Sequence, residues 1–289
     1  MKIKTGLILE GGAMRGIFSC GVTDVFMENG ITFDGAAGIS AGAVFGCNIK
    51  SRQNGRAERY NIRFCRDPRY CSLLSLAVTG DMFGADFCYR RLPDELDLFD
   101  KKAFAEDPME FYVGAFDINM GKMVYHRCMR GDAHDIRWMR ASASMPLAAV
   151  PVRIGRFELL DGGIADAVPY HFMEKRGYNR NVILLTQPEG YRKKKTAVLP
   201  LLSLKMKKYP ELIRAMSVRH EMYNRQMEEI EKRGRDGSAL IIRPPEALGI
   251  SRTERDPHEL ERIYLLGRND GMKQLDKVRN FLDKKAFVC

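Results

Sequence analysis

Apolar runs alternate with glycine-rich turns at the start of this chain, in the rhythm of strand, turn and helix. Residues 5–9 are apolar and stop at Glu10-Gly11-Gly12. From Gly16 the pattern becomes helical, with Phe18, Val22, Val25 and Phe26 on one face and Asn29-Gly30 as its close. The unit then repeats in kind. Residues 31–37 predict a short strand, Gly38-Ile39-Ser40-Ala41-Gly42 a tight turn, and 43–50 a second helix packed through small residues. Two such units in succession predict a parallel sheet with helices on both faces.

Residues 54–99 have no clear period and are dense in apolar groups, Phe64, Tyr70, Leu73, Leu74, Leu76, Val78, Met82 and Phe83 among them. They read as a helical, lid-like insertion with a small core of its own; the functional alternative is a moving lid or a wall for a substrate chain. Residues 111–116 and 122–126 predict a hairpin around Asp117-Ile118-Asn119-Met120-Gly121. Ala141-Ser142-Ala143-Ser144-Met145-Pro146 follows as a run of small residues ended by proline. A second hairpin, 152–154 and 156–160 around Gly155, delivers Asp161-Gly162-Gly163 at its end. Residues 182–186 suit a buried strand.

The last hundred residues change character. Arg192, Lys193, Lys194, Lys195, Lys205, Lys207 and Lys208 form a basic stretch, and a long helix begins near Pro210. Leu212, Met216, Tyr223, Met227 and Ile230 share its apolar face, and Arg233-Gly234 closes it. Residues 240–242 suit one more strand, and 257–285 a final helix. The expected organisation is an α/β catalytic domain over residues 1–190 and a mainly helical extension, 191–289, packed on the same core.

With 289 residues and 45% hydrophobic content the chain can bury a large core. Its net charge of +10 favours an anionic partner, or is the surface of an ordinary basic protein. Seven cysteines, Cys20, Cys47, Cys65, Cys71, Cys88, Cys128 and Cys289, form no CxxC pair, which points to reduced thiols and a cytoplasmic protein. Lys2 and Lys4 precede an apolar stretch too short for a signal peptide, and no segment has the apolar length of a membrane span. Contact with a membrane is therefore expected to be peripheral. The basic stretch reads as a solvated face or as an attraction for anionic lipid headgroups. Aromatics suited to base stacking are scarce there, so nucleic acid is not expected.

Three short motifs carry chemistry. Gly38-Ile39-Ser40-Ala41-Gly42 sets a serine between glycines on a strand-to-helix turn, which exposes its hydroxyl and aims a helix N-terminus at the site. Glu10-Gly11-Gly12-Ala13-Met14-Arg15-Gly16 offers consecutive backbone N–H groups to an oxyanion or a phosphate. The dinucleotide fingerprint fails at Ala13 and the phosphate-loop pattern fails after Gly16. Asp161-Gly162-Gly163 alone reads as a turn.

In this order the three resemble the patatin-like phospholipase family, and the resemblance covers about the first 190 residues. Phe33-Asp34-Gly35-Ala36-Ala37 and Ala143-Ser144-Met145-Pro146-Leu147 are similar to its sequences too. Ala13 stands where a third glycine is common, and Asp166 where asparagine is more usual. The resemblance implies a three-layer α/β/α patatin-like fold with a mostly parallel sheet. It also implies a Ser-Asp dyad acting on lipid or other acyl esters without cofactor or metal. Ser40 would be the nucleophile, Asp161 the base, and the N–H groups of Gly11, Gly12 and Ala13 the oxyanion hole. Gly16, Gly38, Gly42, Gly162 and Gly163 would support the motifs. Arg15 would brace the loop in preference to binding substrate phosphate.

None of His126, His134, His171, His220 and His258 occupies a signature position, so a histidine base is not expected. His126 and Cys128 are neighbours, but no further metal ligand stands at suitable spacing. Rival readings are a non-catalytic lipid-binding protein of the same fold, an acyltransferase using the same serine, and a nucleotide-binding α/β protein.

Overall fold

The computed structural model describes residues 3–283; Cys289 and the end of the helix expected over 257–285 lie outside the described residues. Strand β1 (Thr5–Leu9) leads through a 3-10 turn (Ala13–Gly16) into α1 (Ile17–Glu28), and β2 (Gly35–Ile39) runs directly into α2 (Ala41–Lys50). There follow α3 (Arg56–Phe64), α4 (Leu73–Thr79), a π-helix (Phe87–Leu96), α5 (Lys101–Glu106), β3 (Glu110–Asp117), β4 (Lys122–Cys128) and α6 (Ala133–Ser142). The second half comprises β5 (Val152–Ile154), β6 (Phe157–Asp161), α7 (Tyr170–Lys175), β7 (Arg180–Leu184), α8 (Leu199–Lys205), α9 (Pro210–Arg235), β8 (Ala239–Ile242) and α10 (Pro257–Leu282).

The eight strands form one sheet in the order β5-β6-β3-β2-β1-β7-β8, with β4 also on β3. From β3 to β8 every pairing is parallel, while β4 and β6 run antiparallel to β3. Strand periodicity separates two apolar layers. Leu7 and Leu9 pack with α1, α2 and α10 on one face, and Ile8 packs with α7 and α9 on the other. Burial on both faces explains why the parallel strands read as continuous apolar runs. The fold is a three-layer α/β/α sandwich, as the motifs implied.

Strand β3 sets the geometry of everything that follows. Strand β4 occupies one of its edges along residues 111–117. On β3, residues 110–114 pair with β2 and residues 115–117 with β6. A strand has only two edges, so β2 and β6 lie end to end along the second. They run in opposite directions, so their carboxyl ends meet: Ile39 sits opposite Gly114 and Asp161 opposite Ala115.

Several expectations change: the strand expected over 182–186 runs over Arg180–Leu184, and the helix expected to close at Arg233-Gly234 continues to Arg235. Strand β2 starts at Gly35, because Asp34 is committed to a loop in which its carboxylate accepts from the Thr5 N–H (2.7 Å) and hydroxyl (2.9 Å). Residues 54–99 have no separate core: Phe64, Tyr70, Phe87 and Leu92 belong to the same cluster as Leu9 and Phe18.

The chain beyond residue 190 shares the sheet and core of the first part. Strand β8 extends the sheet beside β7, and α10 lies along α1. A Cβ on Gly21 would fall 2.2 Å from the Tyr264 carbonyl oxygen, and one on Gly267 would fall 2.0 Å from that of Phe18. Hydrogen bonds to Asp24 from the Tyr264 hydroxyl (2.7 Å) and the Gly55 N–H (3.0 Å) join α1, α10 and α3. Gly267→Ala should force α1 and α10 apart and cost roughly 1–3 kcal/mol of stability, read as a lower midpoint of urea unfolding. An unchanged midpoint would mean that the pair slides apart freely.

Candidate active site

The turn between β2 and α2 holds Ser40 at φ 54° and ψ −120°, a conformation that costs a non-glycine residue on the order of 1–3 kcal/mol. Its flanks make the turn possible. A Cβ on Gly38 would lie 2.1 Å from the Gly42 carbonyl oxygen, so helix and strand approach as closely as glycine allows. Gly42 in turn rests on the Leu9 carbonyl, and Gly16 faces Ala41 and the Phe45 ring. Ser40 itself is buried, 8% exposed.

Asp161 ends β6 on the far side of the break in the sheet edge. The break is bridged by the end of α6. The Ser40 N–H donates to Ser142 Oγ (2.9 Å), whose hydroxyl donates to the Gly114 carbonyl (2.6 Å). The Asp161 N–H donates to the Ser144 carbonyl (2.8 Å). Burial pushes the Asp161 carboxyl above the usual carboxylate range. Four groups oppose that shift: the Ser40 hydroxyl, the Arg219 guanidinium, the Gly163 N–H, which donates to Oδ1 at 2.7 Å, and the Lys193 ammonium. Arg219 on α9 also fastens this turn, donating from Nε to the Gly163 carbonyl at 2.6 Å. Gly162 lies under the Gly114 carbonyl.

The glycine loop lies over the serine. Gly11 sits directly against the Ser40 Cβ, and Gly12 against Thr186. Ala13 has φ 50°, the left-handed region in which glycine is favoured, so its methyl group is carried under local strain. Among the described residues, the N–H groups of Gly11, Gly12 and Ala13 have no hydrogen-bond acceptor. Glu10 pins the loop: its carboxylate accepts from the Thr186 N–H (2.6 Å) and the Tyr223 hydroxyl (2.8 Å). Arg15, expected to brace the loop, feels the Glu10 carboxylate at its start without closing an ion pair with it. Among the described residues it has no carboxylate partner, and its Nε is buried without an acceptor.

Two cavities meet at Ser40. One is apolar and runs between α2, α6 and the 54–99 insertion, past Val44, Phe45, Tyr60, Tyr70, Phe83 and Leu92. The other contains Asp161 and the glycine loop, with Arg15, Lys193, Arg219 and Arg252 in its wall. Among the described residues no histidine lines either one. His126 is instead bonded to Asp135 (2.8 Å) and stacked on Trp138. Asp135 was the ligand missing from the spacing, since with His126 and Cys128 it brings three donor atoms within 4.8 Å of one another. Its carboxylate is already committed, however, accepting from the N–H groups of Met129, Arg130 and Gly131. Ser142, Lys193, Arg219 and Arg252 were not singled out for this site by the sequence. The small-residue run 141–144 was the one visible hint.

A family model described as Patatin-like phospholipase matches residues 7–173. Another, described as a domain of unknown function (DUF6363), matches residues 209–283. The chain is 27% identical over 202 residues to "Uncharacterized protein YjjU" of Escherichia coli, covering 64% of this chain and 52% of that protein. It is 29% identical over 177 residues to Lysophospholipase NTE1 of Debaryomyces hansenii, covering 60% of this chain and 11% of that protein. The chain thus spans about half of the first relative and about a tenth of the second. Among solved structures it is similar to VipD from Legionella pneumophila, with a TM-score of 0.48 and 12% identity, covering 96% of this chain and 67% of that one.

The Asp161 carboxyl holds its proton more tightly in the folded chain than in the unfolded one. Its contribution therefore favours the fold below the ordinary carboxylate range, and is lost as pH rises through the folded value. Asp161→Asn should accordingly melt higher than the wild type at about pH 7.5, with the advantage shrinking towards about pH 4. A variant that melts lower at both pH values would show that the carboxylate's partners outweigh its desolvation.

Proposed function

The chain belongs to the patatin-like phospholipase family, and from that premise we propose that it is a serine lipid acyl hydrolase. What supports this reading is the meeting of a strained, buried serine with a buried carboxylate of raised proton affinity, beneath backbone N–H groups free to donate to an oxyanion.

Ser40 Oγ attacks the ester carbonyl while Asp161 takes the hydroxyl proton. The N–H groups of Gly11, Gly12 and Ala13 receive the oxyanion of the tetrahedral intermediate, each such donor being worth about 3–4 kcal/mol of barrier. Asp161 returns the proton to the departing alcohol. Water then attacks the acyl-enzyme, gives a proton to Asp161 and releases the acid, with Ser40 regenerated. An ordinary carboxylate is too weak a base for this; desolvation of Asp161 is what matches its proton affinity to the task. The apolar cavity takes the acyl chain, which makes the 54–99 insertion a wall of the substrate site. Residues 1–190 then carry the reacting groups, and the chain beyond them holds those groups in place.

The mouth of the site suits a lipid surface. Leu76 and Val198 line the cavity, and the short helices beside them carry Leu73, Leu74 and Leu204 largely exposed and Leu201 half-exposed. No helix of the described residues is long and apolar enough to cross a membrane, so contact through these residues would be peripheral.

The test is fatty-acid release from phospholipid vesicles. Ser40→Ala should abolish it, and Asp161→Asn should lower kcat by about 10²–10⁴-fold. Equal release by wild type and Ser40→Ala would remove the serine as nucleophile. Replacing Leu73 and Leu74 by serine should reduce turnover on vesicles more than on a soluble short-chain ester. Equal losses on both would argue against surface docking.

A further inference from the structure

The apolar cavity that leads away from Ser40 is not apolar throughout. Tyr60, Tyr70 and Tyr89 line it, among the rings of Phe45, Phe83 and Phe99. Tyr60 is 3% exposed, yet its hydroxyl has no hydrogen-bond partner among the described residues. Unlike the unpartnered Arg15 Nε, that oxygen is not closed off by packing, and so it faces the cavity that Tyr60 lines. The Tyr89 hydroxyl is unpartnered among the described residues as well. Tyr70 donates to Asn61 Oδ1 at 2.6 Å and keeps its acceptor lone pairs.

Leaving a hydroxyl buried without a partner costs roughly 1–3 kcal/mol. Phenylalanine would fill the space without that cost, as it does beside Tyr60 at Phe45. The surroundings make the Tyr60 hydroxyl a donor. Burial holds its proton well above the usual phenol range, so it stays protonated, and the nearby Arg56 charge polarises it. The Arg56 guanidinium lies 5.3 Å over the Tyr60 ring. Its own N–H groups are engaged by Asn48 Oδ1 (2.9 Å) and the Asp97 carbonyl (2.6 Å), so it is not the group left waiting for a ligand. Depth in the cavity is set by α2. The Tyr60 and Phe45 rings are 6.3 Å apart, and Phe45 and Cys47 stand more than a helical turn beyond Ser40 on the cavity wall. The hydroxyl therefore meets the chain of a bound acyl group, past the carbonyl held at Ser40.

We propose that this cavity selects an acyl chain that carries a hydroxyl group partway along its length, and that the Tyr60 hydroxyl donates a hydrogen bond to it. A chain hydroxyl both accepts and donates, which matches Tyr60 as donor and the oxygens of Tyr70 and Tyr89 as acceptors. The substrate is then an ester of a hydroxylated fatty acid in preference to one of a plain chain. That the chain arrives as an ester rests on the hydrolase reading; the affinity of the cavity for a hydroxylated chain does not.

The experiment separates the two. The full chain is titrated calorimetrically with dodecanoate and with its monohydroxy positional isomers, each below its micellar concentration. At least one isomer hydroxylated in mid-chain should bind about tenfold more tightly than dodecanoate, the gain expected from one hydrogen bond to an otherwise unpaired group. Tyr60→Phe should bring that ratio towards one. Because the hydroxyl bonds to nothing in the free protein, the same substitution should leave the midpoint of urea unfolding unchanged or raised. If no isomer binds more tightly than dodecanoate, the hydroxyl holds water at most and the proposal is overturned. A ratio that survives Tyr60→Phe overturns it too, and so does a lowered midpoint, which would make the hydroxyl part of the fold. Labelling of Ser40 by a fluorophosphonate reports on the nucleophile separately. A labelled chain with no preference for a hydroxyl loses this inference alone, and a preference without labelling counts against the hydrolase reading alone.

Discussion

Strand β3 has one edge filled by β4, and the other must serve two strands that run in opposite directions. The end-to-end meeting of β2 and β6 on that edge leaves a gap in the hydrogen-bond ladder, and the site is built in the gap. The Gly114 carbonyl, which a longer β2 would have engaged, accepts from the Ser142 hydroxyl, and Ser142 Oγ in turn accepts from the Ser40 N–H. A buried break in a sheet is tolerable only when its polar groups are satisfied, and here one side chain satisfies two of them. Ser40 and Asp161 are brought face to face because both terminate strands at that point.

The arrangement is unfavourable for stability in several ways at once. Ser40 and Ala13 are held at positive φ, Asp161 is buried, and three arginines and a lysine crowd one wall. The surrounding structure offsets these costs through the apolar layers on the two faces of the sheet and the close contact of α1 with α10. Strain and desolvation of this kind are typical of sites where reactivity matters more than rigidity.

The C-terminal third belongs to the site as much as to the scaffold. Helix α9 supports both glycine turns: Tyr223 binds Glu10 ahead of the first, and Arg219 binds the Gly163 carbonyl in the second. The loop before α10 brings the Arg252 carbonyl to the Met14 N–H (3.4 Å) and its side chain into the cationic wall. A chain cut after the matched phospholipase region would therefore lose strands β7 and β8 and the contacts that Thr186, Arg219, Tyr223 and Arg252 make with the two glycine turns.

Local chemistry made much of this legible from the amino-acid order alone. Glycines at 11, 12, 38 and 42, the serine between two of them and the Asp161-Gly162-Gly163 turn each dictate backbone geometry within a few residues, and the β-α rhythm dictates a parallel sheet. Boundaries shifted where a side chain made a non-local bond, as Asp34 did in delaying β2. Features joining distant positions were not visible. The bridge from Ser142 to Ser40 and Gly114 depends on how α6 meets a break that only strand pairing creates. The cationic wall joins Arg15 to Arg252 across nearly the whole chain, and Lys193, which by sequence belongs to a solvated basic run, is turned inward by packing against Tyr223. Periodicity and spacing report what neighbours along the chain share; the field at the candidate site is a sum over residues that only the tertiary fold brings together.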